Sequence, residues 1–174
     1  IKIKENGEKI WELETNSGVQ AVTKQGNIIT SGGIQHGKKS GVSLSSISKD
    51  GELQWTQYIN GDGYDGLKQI LISGENIYAV LESKSSTLAE TIDDNYNDQI
   101  RIDKEEIDSS LHDPTTDYKD IVIYKYNESG NLLDTYRIGS KYDDKLGGAF
   151  VDDQSKGIYI KGATIGGKQI FSST

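Results

Sequence analysis

Cysteine and methionine are missing from this 174-residue chain, proline occurs once, at Pro114, and no apolar run approaches the length of a membrane-spanning helix. Without Cys there are no disulfides and no thiolate metal sites. A spanning helix needs about 18–20 consecutive apolar residues, so no membrane insertion is expected. Positive charge is also scarce: 19 Lys and Arg stand against 27 Asp and Glu, a net charge of −8. That balance argues against nucleic acid as a partner, which needs a basic surface, and against docking on anionic lipid. No basic start followed by an apolar stretch marks an export signal. The chain opens at Ile1 with residues 1–4 already patterned as a strand, which reads as a processed or excised piece of a longer protein.

The hydrophobic fraction is only 33%, yet there are 20 Gly and 10 Tyr. Disordered chains of such composition lack evenly spaced apolar clusters, and this one has them. They fall into a repeat. Alternating apolar residues run into a polar turn ending in Gly7, Gly51 or Gly130, and a second alternating run follows, reaching Trp11, Trp55 or Asp134. Asn6-Gly7 and Asp50-Gly51 are strong hairpin signals because such turns demand a positive φ. Beyond the hairpin, Gly61-Asp-Gly-Tyr64-Asp65 and Gly139-Ser-Lys-Tyr142-Asp143 each lead into an apolar strand. A Gly/Asn turn then leads to Asn76-Ile77-Tyr78 in one unit and Gly157-Ile158-Tyr159 in the other, with Gly26-Asn27-Ile28 as the degenerate first counterpart. Four short antiparallel strands per unit of roughly 45 residues is the pattern of a propeller blade. The expected fold is therefore all-β: antiparallel four-stranded propeller-like blades forming a partial or open propeller. The chain reads as a single such domain or fragment, with repeats at about 1–41, 42–83 plus 118–129, and 130–174.

This pattern resembles the bacterial β-propeller repeat found in secreted and cell-surface proteins. Residues 118–164 match best, 42–83 well and 1–41 in part. The resemblance implies a scaffold and an extracellular or cell-surface location rather than an activity, since one scaffold hosts many functions. It also implies that Trp11 and Trp55 pack between blades, a contact altered where Asp134 takes the Trp position.

An acidic insertion at 84–117 interrupts the second repeat. It holds ten acidic residues against Lys84, Arg101 and Lys104, a balance of −7, so nearly the whole net charge resides there. Ile107 with Leu111, and Leu88 with Ile92, stand at i and i+4, so short helices are expected, the later one stopped by Pro114. Charge runs usually mark solvated surface, whereas long inserted loops often carry function. Asp93, Asp94, Asn95 and Asp98 form an oxygen-rich stretch and the candidate Ca²⁺ site, although it lacks the Gly and terminal Glu of the twelve-residue calcium loop.

Other motifs weigh less. Gly61, Gly63 and Gly66 match the glycine spacing of a dinucleotide loop, but a strand rather than a helix follows, so a blade turn is expected. Asp65, Asp143 and Asp144 recur at strand starts, where a carboxylate accepts turn N–H groups. Tyr64 and Tyr142 precede them and are expected to pack between blades. His36 and His112 lack metal-site spacing, and no nucleophile elbow is present. The leading expectation is a non-catalytic extracellular binding or structural module, an adhesin or cell-envelope appendage of a Gram-positive bacterium. Its protein or glycan ligand would meet Tyr64, Asp65, Tyr96 and Asp98. The alternatives are a domain of a carbohydrate-active enzyme with carboxylates of the insertion as acid and base, or an architectural subunit of a fibre or pilus. Too few repeats are present to close a ring, so self-association or further blades are expected partners.

Overall fold

The computed structural model describes residues 1–12, 17–36, 39–61, 63–85, 119–138, 143–154, 157–164 and 169–173. All of their regular structure is β, in thirteen strands. Strands β1 (Lys2–Ile3) and β2 (Lys9–Trp11) form an isolated hairpin. Strands β3 (Ser17–Val22), β4 (Ile28–His36), β5 (Lys39–Ile47) and β6 (Leu53–Ile59) form a four-stranded antiparallel sheet. A second such sheet contains β7 (Asp65–Ser73), β8 (Asn76–Ser83), β9 (Asp120–Asn127) and β10 (Leu132–Ile138). The third holds β11 (Asp144–Asp152), β12 (Gly157–Thr164) and β13 (Gln169–Ser173).

Each sheet is an up-and-down meander, and among the described residues no sheet closes on itself. The sheets meet through their first strands: β7 touches β3 on one side and β11 on the other. This is an open arrangement of propeller-like blades. The sequence repeat and the sheets are out of phase. The Gly51 and Gly130 hairpins that open repeats supply the last two strands of the two four-stranded sheets, the Gly7 hairpin forms β1–β2, and the strands that follow each hairpin begin the next sheet.

Burial explains why some strands alternate and others are continuously apolar. The middle sheet is covered on both faces, so both faces of its central strands need apolar residues. Along β8, Ile77, Ala79 and Leu81 enter the core shared with the β3–β6 sheet, while Tyr78 and Val80 enter the core shared with the β11–β13 sheet. Each fully buried aliphatic side chain of this kind contributes about 1.5–3 kcal/mol. Tyr126 on β9 is completely buried in the first core, and its hydroxyl has no hydrogen-bond partner among the described residues. Burial, with neighbouring Tyr124 as a smaller cause, pushes its pKa far above the ordinary tyrosine value. An unpaired buried hydroxyl costs about 1–3 kcal/mol, so Tyr126→Phe is expected to leave stability unchanged or to raise it by about 1 kcal/mol. A loss of stability in urea denaturation would show instead that the hydroxyl is bonded.

The hairpin turns share one construction. The amide of Gly7, Gly26, Gly51 or Gly130 donates to the carbonyl three residues earlier, and that earlier residue's own amide donates to the carbonyl just after the glycine. This is a turn followed by a one-residue bulge, with glycine at φ between +82° and +92° where L side chains are strained. The side chains of Thr23, Ser48 and Asn127 accept the amide of the residue just after the glycine, closing the turn a second time.

Tryptophans bind one sheet to the next through these turns. Trp11 Nε1 donates to the Lys49 carbonyl at 3.0 Å, and its ring lies over Gly51. Trp55 repeats the contact one sheet on, donating to the Glu128 carbonyl at 2.8 Å with its ring over Gly130. At the third position Asp134 accepts the Tyr136 hydroxyl at 2.7 Å. Burial and this acceptor together push the Tyr136 phenol up to about 12, so it stays a donor across the physiological range.

Candidate functional site

Meander topology puts every even-to-odd connection at one end of the sheets: those between β2 and β3, β4 and β5, β6 and β7, β8 and β9, β10 and β11, and β12 and β13. The long acidic insertion is the β8–β9 connection, so it leaves and returns between the two central strands of the middle sheet. Those strands pair up to Ser83 with Asp120, which fixes both stems of the insertion side by side.

A network of buried polar groups holds the stems. Asp65, first residue of β7, is buried, and its carboxylate accepts the Gly61 amide at 2.8 Å, the Ser85 hydroxyl at 2.9 Å and the Ser83 hydroxyl. Ser85 Oγ also accepts the Gly63 amide at 3.0 Å, and the Lys84 amide donates to the Tyr64 carbonyl at 2.7 Å. The outgoing stem is thereby tied to the β6–β7 loop. Arg137 at the end of β10 donates to the Ser85 carbonyl from the other side, while its guanidinium faces Asp120 at 3.5 Å, both side chains being buried. The returning stem is held by the neighbouring sheet. The Lys119 amide donates to Asp143 Oδ1 at 2.9 Å, and the Asp144 amide donates to the Lys119 carbonyl at 2.7 Å.

Glu82 meets three partners, one of them on the neighbouring sheet. One oxygen accepts the Leu146 amide of β11 at 3.0 Å, and the other lies 3.1 Å from Lys68 Nζ and 3.9 Å from Lys119 Nζ. Gln69 adds a second tie between these sheets, pairing its amide with both backbone groups of Ala149 at 2.7 and 2.9 Å. Buried carboxylates of this kind are tolerated because each faces donors or cations.

The candidate residues divide accordingly. Asp65 lies beneath the surface as the organiser of the loop. Tyr64 is exposed instead of packed between sheets, and the Lys119 ammonium sits 5.3 Å from its ring centroid. A parallel bridge to Ser40 fixes the Tyr64 backbone against β5. The ring also lies against Gly66, where an added Cβ would come within 3 Å of it. Strand register also shows that Asp144, rather than Asp143, corresponds to Asp65. Leu67 and Leu146 precede the same one-residue bulge, and each stands two residues after its aspartate. The two carboxylates preferred at this position thus come from different places in the local sequence.

The glycine-rich turn binds its own protein. Gly61 and Gly63 amides, which a phosphate would need, already serve Asp65 and Ser85, and β7 follows directly. Among the described residues no group of three or more His, Cys, Asp or Glu is placed to hold a metal ion. Tyr96, Asp98 and the candidate calcium ligands Asp93, Asp94 and Asn95 lie outside the described residues, as do His112, Tyr142 and the two expected short helices. No helix among the described residues is long and apolar enough to cross a membrane.

Ser83, Ser85, Glu82, Asp120 and Arg137 were not legible as site residues, because their partners sit across strands or sheets. The available signal was indirect. Glu82 and Asp120 are charges at the ends of otherwise apolar strands, where a partner is required. No family model matches the chain, and no curated protein matches it.

Proposed function

We propose that the chain is a non-catalytic binding module built on open propeller-like sheets, with the acidic insertion and the adjacent Tyr64 as its contact surface. The observation that carries this reading is the anchoring of the insertion. Both its stems are clamped, one by Asp65 and Arg137, the other by Asp143 and the Asp144 amide. A loop that served only to join β8 to β9 needs a few residues and no such platform. Concentrating most of the negative charge beyond that platform suits a basic protein surface or a cation-rich glycan complex, with attraction that weakens as salt rises. The repeat supports an extracellular bacterial surface protein as the setting.

Replacing residues 86–117 by a four-residue Gly/Asn turn tests the reading. The fold is expected to survive, because the shorter connection saves loop-closure entropy worth up to about 2 kcal/mol. Binding on a glycan array or to an immobilised basic protein such as lysozyme is expected to fall at least tenfold. Equal binding by the parent and shortened chains would sink the proposal, as would a parent chain that binds neither probe.

A further inference from the structure

The sheet that carries the insertion also carries charges that its neighbour lacks. Counted from the turn glycines Gly51 and Gly130, the last two strands of the two four-stranded sheets share one register: Val42 pairs with Ile59 as Ile121 pairs with Ile138. Asp120 therefore corresponds to Gly41, and Arg137 to Tyr58. Across the next ladder, Glu82 corresponds to Gly33 and Ser83 to Ile34. In the first sheet β4 ends at His36 and β5 begins at Lys39, so only residues 37–38 join them. In the middle sheet the same connection runs from Ser83 to Asp120 and contains the insertion. The first sheet thus has no such ion pair where the middle one buries Arg137 and Asp120, whose side chains are 4% and 2% exposed.

A buried ion pair is a poor way to stabilise a sheet. Desolvating two charges offsets most of their attraction, and apolar residues of like volume often do as well. What this pair reaches gives it another use. The Arg137 guanidinium donates to the Ser85 carbonyl on the outgoing stem and faces the Asp120 carboxylate on the returning stem at 3.5 Å, so one rigid planar group touches both. Asp65 holds the outgoing stem, and Asp143 with the Asp144 amide holds the returning one. Arg137 joins the two. We propose that Arg137 is the positioning residue of the insertion: it fixes the spacing of the two stems, and through them the affinity of the contact surface. The affinity effect rests on the insertion being that surface, whereas the bridge between the stems does not.

Amide hydrogen exchange by NMR on the full chain reads the stems directly, and binding to immobilised lysozyme at low salt reads the surface. The double variant Arg137→Met with Asp120→Leu removes the bridge while avoiding an unpaired buried charge, so its fold is expected to hold. Its Lys84 and Ser85 amides are expected to exchange roughly tenfold faster than in the parent, measured against the Val80 and Val122 amides of the same sheet. Lysozyme binding is expected to fall roughly threefold or more. Arg137→Lys keeps a charge towards Asp120 without the planar fork; it serves as the second variant and is expected to move the same amides in the same direction. Stem exchange equal to the parent's in both variants would overturn the proposal and leave the pair a purely structural one. Faster stem exchange with unchanged affinity, in a parent that binds, would overturn it equally. A parent that binds neither lysozyme nor glycan would overturn the proposed function and the affinity effect together, while stem exchange still supports or overturns the bridge.

Discussion

Trp55→Ala is expected to lower the stability of the fold by about 3–4 kcal/mol, read as a drop in the urea midpoint with little change in slope. The indole packs against the core between the first two four-stranded sheets and also donates to the Glu128 carbonyl, so truncation removes apolar contact and leaves that carbonyl without its donor. The other half of the contact predicts a companion result. A Cβ on Gly130 would sit 2.7 Å from the Trp55 ring, at a φ of +82°. Gly130→Ala therefore suffers both left-handed strain, about 1–2 kcal/mol, and a clash with the indole. Gly26 has nearly the same φ but only ordinary contact, at 3.6 Å from Lys49 Cβ, so Gly26→Ala should show the strain alone. Equal losses at the two glycines would mean that the indole contributes nothing through its seat on the turn.

Arg137→Met is expected to cost about 3–5 kcal/mol, because it leaves the buried Asp120 carboxylate without the cation it faces. It also removes the donor to the Ser85 carbonyl at the outgoing stem of the insertion. Adding Asp120→Leu to Arg137→Met should restore a large part of that loss, since a well-packed apolar pair is often as stable as a buried ion pair. The double-mutant cycle in thermal or urea unfolding isolates the coupling. Additive losses would show that the guanidinium acts through the Ser85 carbonyl and not through Asp120.

The strands and turns were legible for local reasons. Glycine at Gly7, Gly51 and Gly130 marks a backbone conformation that other residues resist, and the alternation around it sets which side chains face a neighbouring sheet. The packing role of Trp11 and Trp55 was implied by the resemblance to the propeller repeat, and each ring lies on the turn of the following sheet. What recurrence suggested less well was the aspartates: the repeated pairs Tyr64-Asp65 and Tyr142-Asp143 point to one equivalence, and the strand register to another, through Asp144. A one-residue offset in a loop is invisible in a short motif, while a ladder of paired strands resolves it.

The buried polar network was not legible, for a different reason. Asp65, Ser83 and Ser85 come together because β7 and β8 are adjacent strands, and Glu82 reaches β11 because two sheets pack face to face. Such partners are chosen by three-dimensional neighbours, on which residue order places almost no constraint. The same holds for Tyr64, whose exposure is decided by the loop that Asp65 braces from below.

Residue order by itself determined the glycine turns, the alternating strands and a repeat interrupted by one acidic segment, as consequences of backbone sterics and of burying one side of a strand. Tertiary structure alone decided which hairpin closes which sheet and which carboxylates go inside. It likewise decided that Tyr64 stays exposed while the adjacent Asp65 goes inside, because burial depends on which neighbours are there to exclude water.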